Sequence, residues 1–110
     1  MLLFWNSDPN TSAAGRCLNI FQDGRRSCII DLYGTLCNSA ERLIETLVHE
    51  MCHAACWIID GVKFDNHNDL WKSYGEKVTR IHPELPPVSE LHNYHIPYKV
   101  HYICTSCYRV

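Results

Sequence analysis

The chain has 110 residues, of which 46% are hydrophobic and 20% are charged, and its formal net charge is −2. This balance is typical of one small globular domain and argues against a disordered or fibrous chain. The charge neither indicates nor excludes nucleic acid as a partner, because local patches matter more than the sum. No stretch approaches the ~20 apolar residues that a membrane helix needs, so we expect no membrane contact.

The chain starts with apolar residues 1–5, which give way at once to polar residues 6–10. That run is too short for the core of a signal peptide, and no basic residue precedes it, so we expect an intracellular protein. The seven cysteines are an odd number. Free thiols and metal ligands are therefore expected rather than a disulfide framework.

The first third of the chain, residues 1–37, is predicted to form short β-strands. Residues 16–21 and 26–32 flank an Asp-Gly dipeptide, which is a strong signal for a hairpin turn. The short apolar run at residues 28–30 favours a strand that is covered on both faces. The cysteines of this third are expected to be buried in or near the sheet: Cys17, Cys28 and Cys37.

Residues 39–60 are predicted to form one long helix. Asn38 is a suitable N-cap with Glu41 three residues later, as in a capping box, and Gly61 is a natural stop. Apolar residues recur every three to four positions and predict one buried stripe, made of Leu43, Leu47, Met51, Ala54 and Ile58.

A second helix is predicted to begin near Asn68 or Asp69 and to reach about Ile81, where the proline-rich residues 82–87 end it. Four helical side chains are interpreted as buried apolar groups or pocket wall rather than ligands, namely Cys52, Cys56, Trp57 and Trp71. The tail at residues 92–110 is predicted to be extended.

The long helix carries His-Glu-Met-Cys-His at residues 49–53, which has the form HExxH. Four residues are little more than one helical turn, so His49 and His53 are expected on one face, about 6 Å apart, where two imidazoles can hold one zinc ion. Glu50 flanks the same side, where a carboxylate can take a proton from a water acidified by the metal and pass it to the leaving amine. Such short matches also arise by chance, but a capped amphipathic helix is where this chemistry needs them.

A catalytic zinc needs a third protein ligand. The downstream candidates are His67, His82, His92, His95, His101, Asp60, Asp65 and Asp69. His67 is the best placed, because it follows a glycine where the chain can turn back and precedes the second helix. His82 is the runner-up.

Residues 46–55 resemble the active-site helix of the SprT-like zinc metalloproteases, closest to their germ cell nuclear acidic protein branch and more distantly to Spartan. Further similar segments cover nearly the whole chain, at residues 5–6, 14–17, 39–43, 57–61, 80–86, 92–94 and 98–102. The resemblance implies an α+β, zincin-like metalloprotease domain over residues 1–103, with a short N-terminal sheet packed on the HExxH helix and a second helix. It implies zinc ligands at His49, His53 and His67, with Glu50 as the catalytic acid and base.

The same resemblance implies an activity and a location. Relatives of this type are associated with cleaving proteins crosslinked to or bound on DNA, in the nucleus. The alternative function is a catalytically inactive, zinc-stabilised DNA-binding or scaffold module. Glu50 argues against that alternative, because a purely structural zinc site does not need it.

The chain departs from the family pattern in two features, the residue after His67 and the incomplete zinc ribbon. Asn68 stands where the family usually has glycine, and we expect the turn to survive because asparagine tolerates a left-handed backbone. Cys104 and Cys107 resemble the first half of a zinc ribbon that begins at residues 104–110. A second structural zinc there is expected to be incomplete in this chain, unless nearby histidines complete it.

Two further roles stay open. Basic and aromatic residues in the second half could hold single-stranded DNA or could form an ordinary solvated surface, and they are Lys72, Lys77, Arg80, Lys99, Tyr74, Tyr94, Tyr98 and Tyr102. An oxyanion-stabilising side chain is expected among Tyr74, His82 and Tyr94.

Overall fold

The computed structural model describes residues 2–6, 14–34, 37 and 39–89. Its elements in chain order are β1 (Leu2–Asn6), β2 (Gly15–Gln22), β3 (Arg25–Tyr33), α1 (Ala40–Ile58) and α2 (Asp69–Ile81). The predicted α+β class is confirmed. None of the helices among these residues is both long and apolar enough to cross a membrane.

The sheet has β3 at its centre, with β1 parallel to it on one side and β2 antiparallel on the other. The predicted hairpin joins β2 to β3. Asp23 and Gly24 form its turn with φ of 54° and 74°, as a tight hairpin with two left-handed residues requires. Arg16 and Asp31 are partners in the register, and their side chains form an ion pair of 2.6 Å.

One face of the sheet packs on α1. The buried residues of this sheet cluster are Cys17, Cys28, Ile30, Leu32, Ala54 and Trp57. The Trp57 indole N–H donates to the carbonyl oxygens of Ser27 at 2.8 Å and Ile20 at 3.1 Å, so the largest side chain of the cluster is tied to both hairpin strands. Ile29 points to the other face and is only half-buried. The prediction of a strand covered on both faces is therefore wrong at this position.

A second, smaller cluster joins the two helices. The α2 cluster consists of Cys52, Cys56 and Trp71, with Val48, Val62, Leu70, Tyr74 and Val88 packed around it. The predicted burial is confirmed for Cys17, Cys28, Cys37, Cys52 and Cys56, and all five are free thiols.

Two details of the predicted long helix are wrong. The N-cap is Ser39 rather than Asn38, and its hydroxyl accepts from the Arg42 N–H at 3.2 Å. Both residue types cap well, so sequence alone cannot choose between neighbours. Met51 is 43% exposed, because about 100° per residue carries it roughly 80° from Leu43 and out of the buried arc. Glu50 occupies the buried position instead, with 0% exposure.

Candidate metal centre

Three histidines converge where α1 faces the turn that precedes α2. His49 and His53 lie one helical turn apart on α1, and His67 comes from the turn. All three are buried, with exposures of 1%, 4% and 9%. Their ligand nitrogens lie within 4.8 Å of one another, and the Nε2 atoms of His49 and His67 are 3.2 Å apart. The structure thus brings together the three histidines that the sequence singled out.

The backbone before α2 turns sharply so that His67 can reach α1. Gly61, Asn66 and His67 have φ of 70°, 49° and 54°. Asn68, expected in the left-handed conformation, instead has φ of −74° and caps α2 by accepting from the Trp71 N–H at 3.2 Å. The left-handed strain falls on Asn66 and His67, so that expectation for Asn68 is wrong.

The outer nitrogens of two histidines are held by acceptors. His49 Nδ1 is 2.8 Å from the Ser89 carbonyl oxygen, and His53 Nδ1 is 2.8 Å from Asp65 Oδ2. A carbonyl or carboxylate oxygen only accepts, so each Nδ1 carries the hydrogen. In the neutral form of each ring this leaves Nε2 unprotonated, which is the form that coordinates a metal.

Asp65 ties two of the histidines together. Its Oδ2 accepts from His53, and its Oδ1 accepts from the backbone N–H of His67 at 2.9 Å. Burial alone would raise the pKa of the Asp65 carboxyl. The hydrogen bonds that it accepts from His53 and His67 outweigh burial and hold the pKa below its usual value. The sequence offered Asp65 only as a possible ligand. The structure makes it the group that orients the His53 ring and holds the backbone of His67.

Trp71 forms one wall of the centre. Its ring centroid lies 4.9 Å from that of His49, 5.5 Å from that of His53 and 4.6 Å from that of His67. The predicted role of Trp71 as core or pocket wall is confirmed. Because it also belongs to the α2 cluster, the position of α2 and the position of the histidines depend on each other.

Glu50 is buried where α1 packs on β2. A Cβ on Gly15 would lie 2.8 Å from Thr46 Cγ2 and 3.1 Å from Glu50 Cγ. Real Cβ atoms do not come within 3.0 Å of another heavy atom, so β2 passes this near to Thr46, and to Glu50 next to it, only because residue 15 has no side chain. Glu50 is therefore buried away from water, on the helical turn that begins with His49 and ends with His53.

The donor set fits a zinc ion. Tetrahedral coordination with Zn–N of 2.0–2.1 Å places ligand nitrogens about 3.3 Å apart. The Nε2 atoms of His49 and His67 are 3.2 Å apart. Three neutral imidazoles suit zinc and similar transition metals, so the three histidines could hold such an ion.

The other candidates within the described residues lie elsewhere. His82 is exposed and pairs with Glu84, and the Tyr74 hydroxyl donates to Asp60. His82 and Tyr74 line a groove with Met51 and Ala55, on the side of α1 turned away from His49 and His53. Asp69 is an exposed first-turn residue of α2. The remaining candidates lie outside the described residues, namely His92, His95, His101, Tyr94, Tyr98, Lys99, Tyr102, Cys104 and Cys107.

The fold and the site together define a small α+β zincin-like domain with a three-histidine centre. The sequence profile of the SprT-like family matches residues 2–92, and the chain belongs to that family. It is similar to the germ cell nuclear acidic protein of Homo sapiens, with 57% identity over 106 residues, which are 94% of this chain and 15% of that protein.

Two further relatives are similar along most of the chain. The germ cell nuclear acidic protein of Drosophila melanogaster is 38% identical over 87% of this chain and 9% of its own length. The germ cell nuclear acidic-1 protein of Caenorhabditis elegans is 32% identical over 93% of this chain and 18% of its own length. The chain thus spans less than a fifth of each of these three relatives. No solved structure matches it.

Proposed function

We propose that this domain is a zinc-dependent endopeptidase. The observation that carries the proposal is the convergence of three buried histidines, two of them with an oriented ring, on a helix that also buries Glu50. A structural zinc site in a protein is usually closed by a fourth protein ligand, whereas a catalytic site has three and leaves a position open. Among the described residues, the cluster has three members.

The histidines and Glu50 have separate roles in the proposed reaction. His49, His53 and His67 would hold zinc, which supplies a Lewis acid that polarises a peptide carbonyl and acidifies water. Glu50 accepts the proton of the attacking water and then delivers it to the amine that leaves. Its dry position strengthens its interactions with charge that develops nearby.

We further propose that the substrates are proteins crosslinked to or bound on DNA, and that the protein acts in the nucleus. Three relatives carry the word nuclear in their names, which supports the location. The basic residues of α2 support contact with DNA, because Lys72, Lys77 and Arg80 all lie on its exposed side. In this proposal residues 1–103 form the protease domain and residues 104–110 begin a zinc ribbon.

Zinc stoichiometry tests the metal centre. We expect one tightly bound zinc in the purified chain, lost or sharply weakened in His67→Ala and retained when Cys104 and Cys107 are both replaced by serine. Zinc that persists in His67→Ala but disappears in the cysteine variant would overturn the active-site assignment. A metal-stabilised binding module would then be the better account.

A further inference from the structure

The chain returns to the metal centre after α2. At the end of α2 the His82 N–H donates to the Val78 carbonyl at 2.7 Å, and the Leu85 N–H donates to the His82 carbonyl at 3.1 Å. These bonds reverse the chain, so that residues 86–89 run back along α2. We name residues 86–89 the return segment.

Gly75 allows the return segment to lie close to α2. A Cβ on Gly75 would be 3.1 Å from Val88 Cβ and 3.3 Å from Val88 Cγ1, which is tighter than ordinary van der Waals contact. In a helix interior glycine is about 1 kcal/mol less favourable than alanine. The glycine therefore lowers the stability of α2, but it allows Val88 to pack closely against the helix.

The return segment is stiff at its start and anchored at its end. Two consecutive prolines, Pro86 and Pro87, restrict the backbone to extended conformations. Val88 packs against the α2 cluster, and the next residue, Ser89, brings its carbonyl oxygen to 2.8 Å from His49 Nδ1. The position of this oxygen thus depends on how closely Val88 seats on Gly75.

We infer that the return segment is a positioning element for the metal ligand His49, acting through the Ser89 carbonyl and set by the contact between Val88 and Gly75. The inference rests on the proposed zinc function. The Ser89 oxygen fixes both the rotation of the His49 ring and the tautomer that leaves Nε2 unprotonated. Asp65 holds Nδ1 of His53 in the same way, with a side chain instead of a backbone group.

Gly75→Ala tests this role with little risk to the fold. Alanine raises helix propensity in α2 while its Cβ pushes Val88, and the Ser89 carbonyl with it, away from His49. Changes in the hydrogen-bond partners of metal-ligating histidines cost about 10- to 100-fold in metal affinity. We expect zinc dissociation constants, measured in the full chain by competition with a chromophoric chelator, to rise about 10-fold. The matched control is Glu76→Ala, the exposed neighbour on the same helix, which should bind zinc like the wild type.

A second measurement separates positioning from general loosening. In the zinc-loaded wild type, nitrogen-15 spectra of the imidazoles should show His49 with a protonated Nδ1 that exchanges slowly with solvent. In Gly75→Ala that proton should exchange faster, while the metal-free chain melts no lower than the wild type. A loss of affinity together with a lower melting temperature and an unchanged His49 signal would overturn the inference.

The two proposals fail in distinguishable ways. Zinc binding in the wild type that equals binding in Gly75→Ala overturns only the role of the return segment. A wild type that binds no zinc, or binds it undiminished in His67→Ala, overturns the metal centre itself. Should Gly75→Ala not fold, Val88→Ala loosens the same contact from the other side, and unchanged affinity in that variant contradicts the inference equally.

Discussion

The two sides of α1 are packed in different ways. Toward the sheet, α1 buries an apolar cluster against strands whose backbone groups pair with one another. Toward α2, it buries three histidines and Asp65 beside a cluster of only three fully buried residues. Burying polar groups is costly unless their partners are in place. The sheet side is thus held by apolar packing and by the hydrogen bonds of the Trp57 indole. The α2 side depends instead on a polar network that a bound metal would stabilise.

Glu50 lies between these two sides, and its replacement should give the largest effect. In Glu50→Gln we expect cleavage of a DNA-bound test protein to fall by about 10²- to 10⁴-fold, because the general base is lost. Zinc content and melting temperature should match the wild type, since glutamine keeps the shape of the side chain. Full activity in this variant would contradict the assigned role of Glu50. Full zinc content without activity in the wild type would favour the scaffold module.

Ile30→Ala should weaken the sheet side alone. Ile30 is fully buried in the sheet cluster, and deleting such a side chain costs about 2–5 kcal/mol. Urea unfolding of the zinc-loaded chain should show this loss, while the folded variant binds zinc with wild-type affinity. Ile29→Ala is the matched control, because Ile29 is half-buried and faces the other way from Ile30. Its replacement should therefore lower the free energy of unfolding much less. Equal losses in both variants would show that the two faces of β3 do not differ as described.

Removal of zinc should loosen the α2 side alone. Cys56 lies in the α2 cluster and Cys28 in the sheet cluster, and both are buried. Zinc at about 100 times its dissociation constant stabilises the form that binds it by ~2.7 kcal/mol. We therefore expect a chelator to speed alkylation of Cys56 by about 100-fold and to leave Cys28 nearly unchanged, as read by peptide mass spectrometry.

The pKa values of the two thiols predict the opposite order of alkylation, so faster labelling of Cys56 would be informative. Burial raises the pKa of Cys56 to about 12, whereas a hydrogen bond with Cys17 lowers the pKa of Cys28. The thiolate is the form that reacts, so Cys28 would be the faster thiol at equal exposure. Faster labelling of Cys56 therefore reports local opening. Equal acceleration at both cysteines would mean that the domain unfolds as one unit.

Asp65→Asn should give the smallest of these effects. An amide can accept through only one oxygen, so either His53 or the His67 N–H loses its partner. We expect zinc affinity to fall by about 10- to 100-fold, as measured by chelator competition. Asp60→Asn is the control from the same stretch of chain, because Asp60 is exposed and bonds the Tyr74 hydroxyl. A loss of similar size in both variants would show that loop stability, rather than the orientation of His53, is at issue.

The sequence by itself determined the local elements and the pair of histidines on α1. Asp23-Gly24 defined the hairpin turn, and a four-residue spacing in a helix places two side chains on one face whatever the rest of the chain does. These features depend on backbone geometry over a few residues. The choice between Asn38 and Ser39 as N-cap could not be made at that level, because neighbouring residues offered the same chemistry.

Only the tertiary structure decided what surrounds those two histidines. The sequence proposed His67, but the left-handed turn at Asn66 and His67 and the packing of Trp71 are what bring its ring to within reach of His49. The roles of Asp65, Ser89 and Gly75 had no sequence signal, because each depends on contacts made across 12 or more residues of chain. Local spacing fixes which side chains share a helix face, whereas the partners that orient them are set by how distant segments pack.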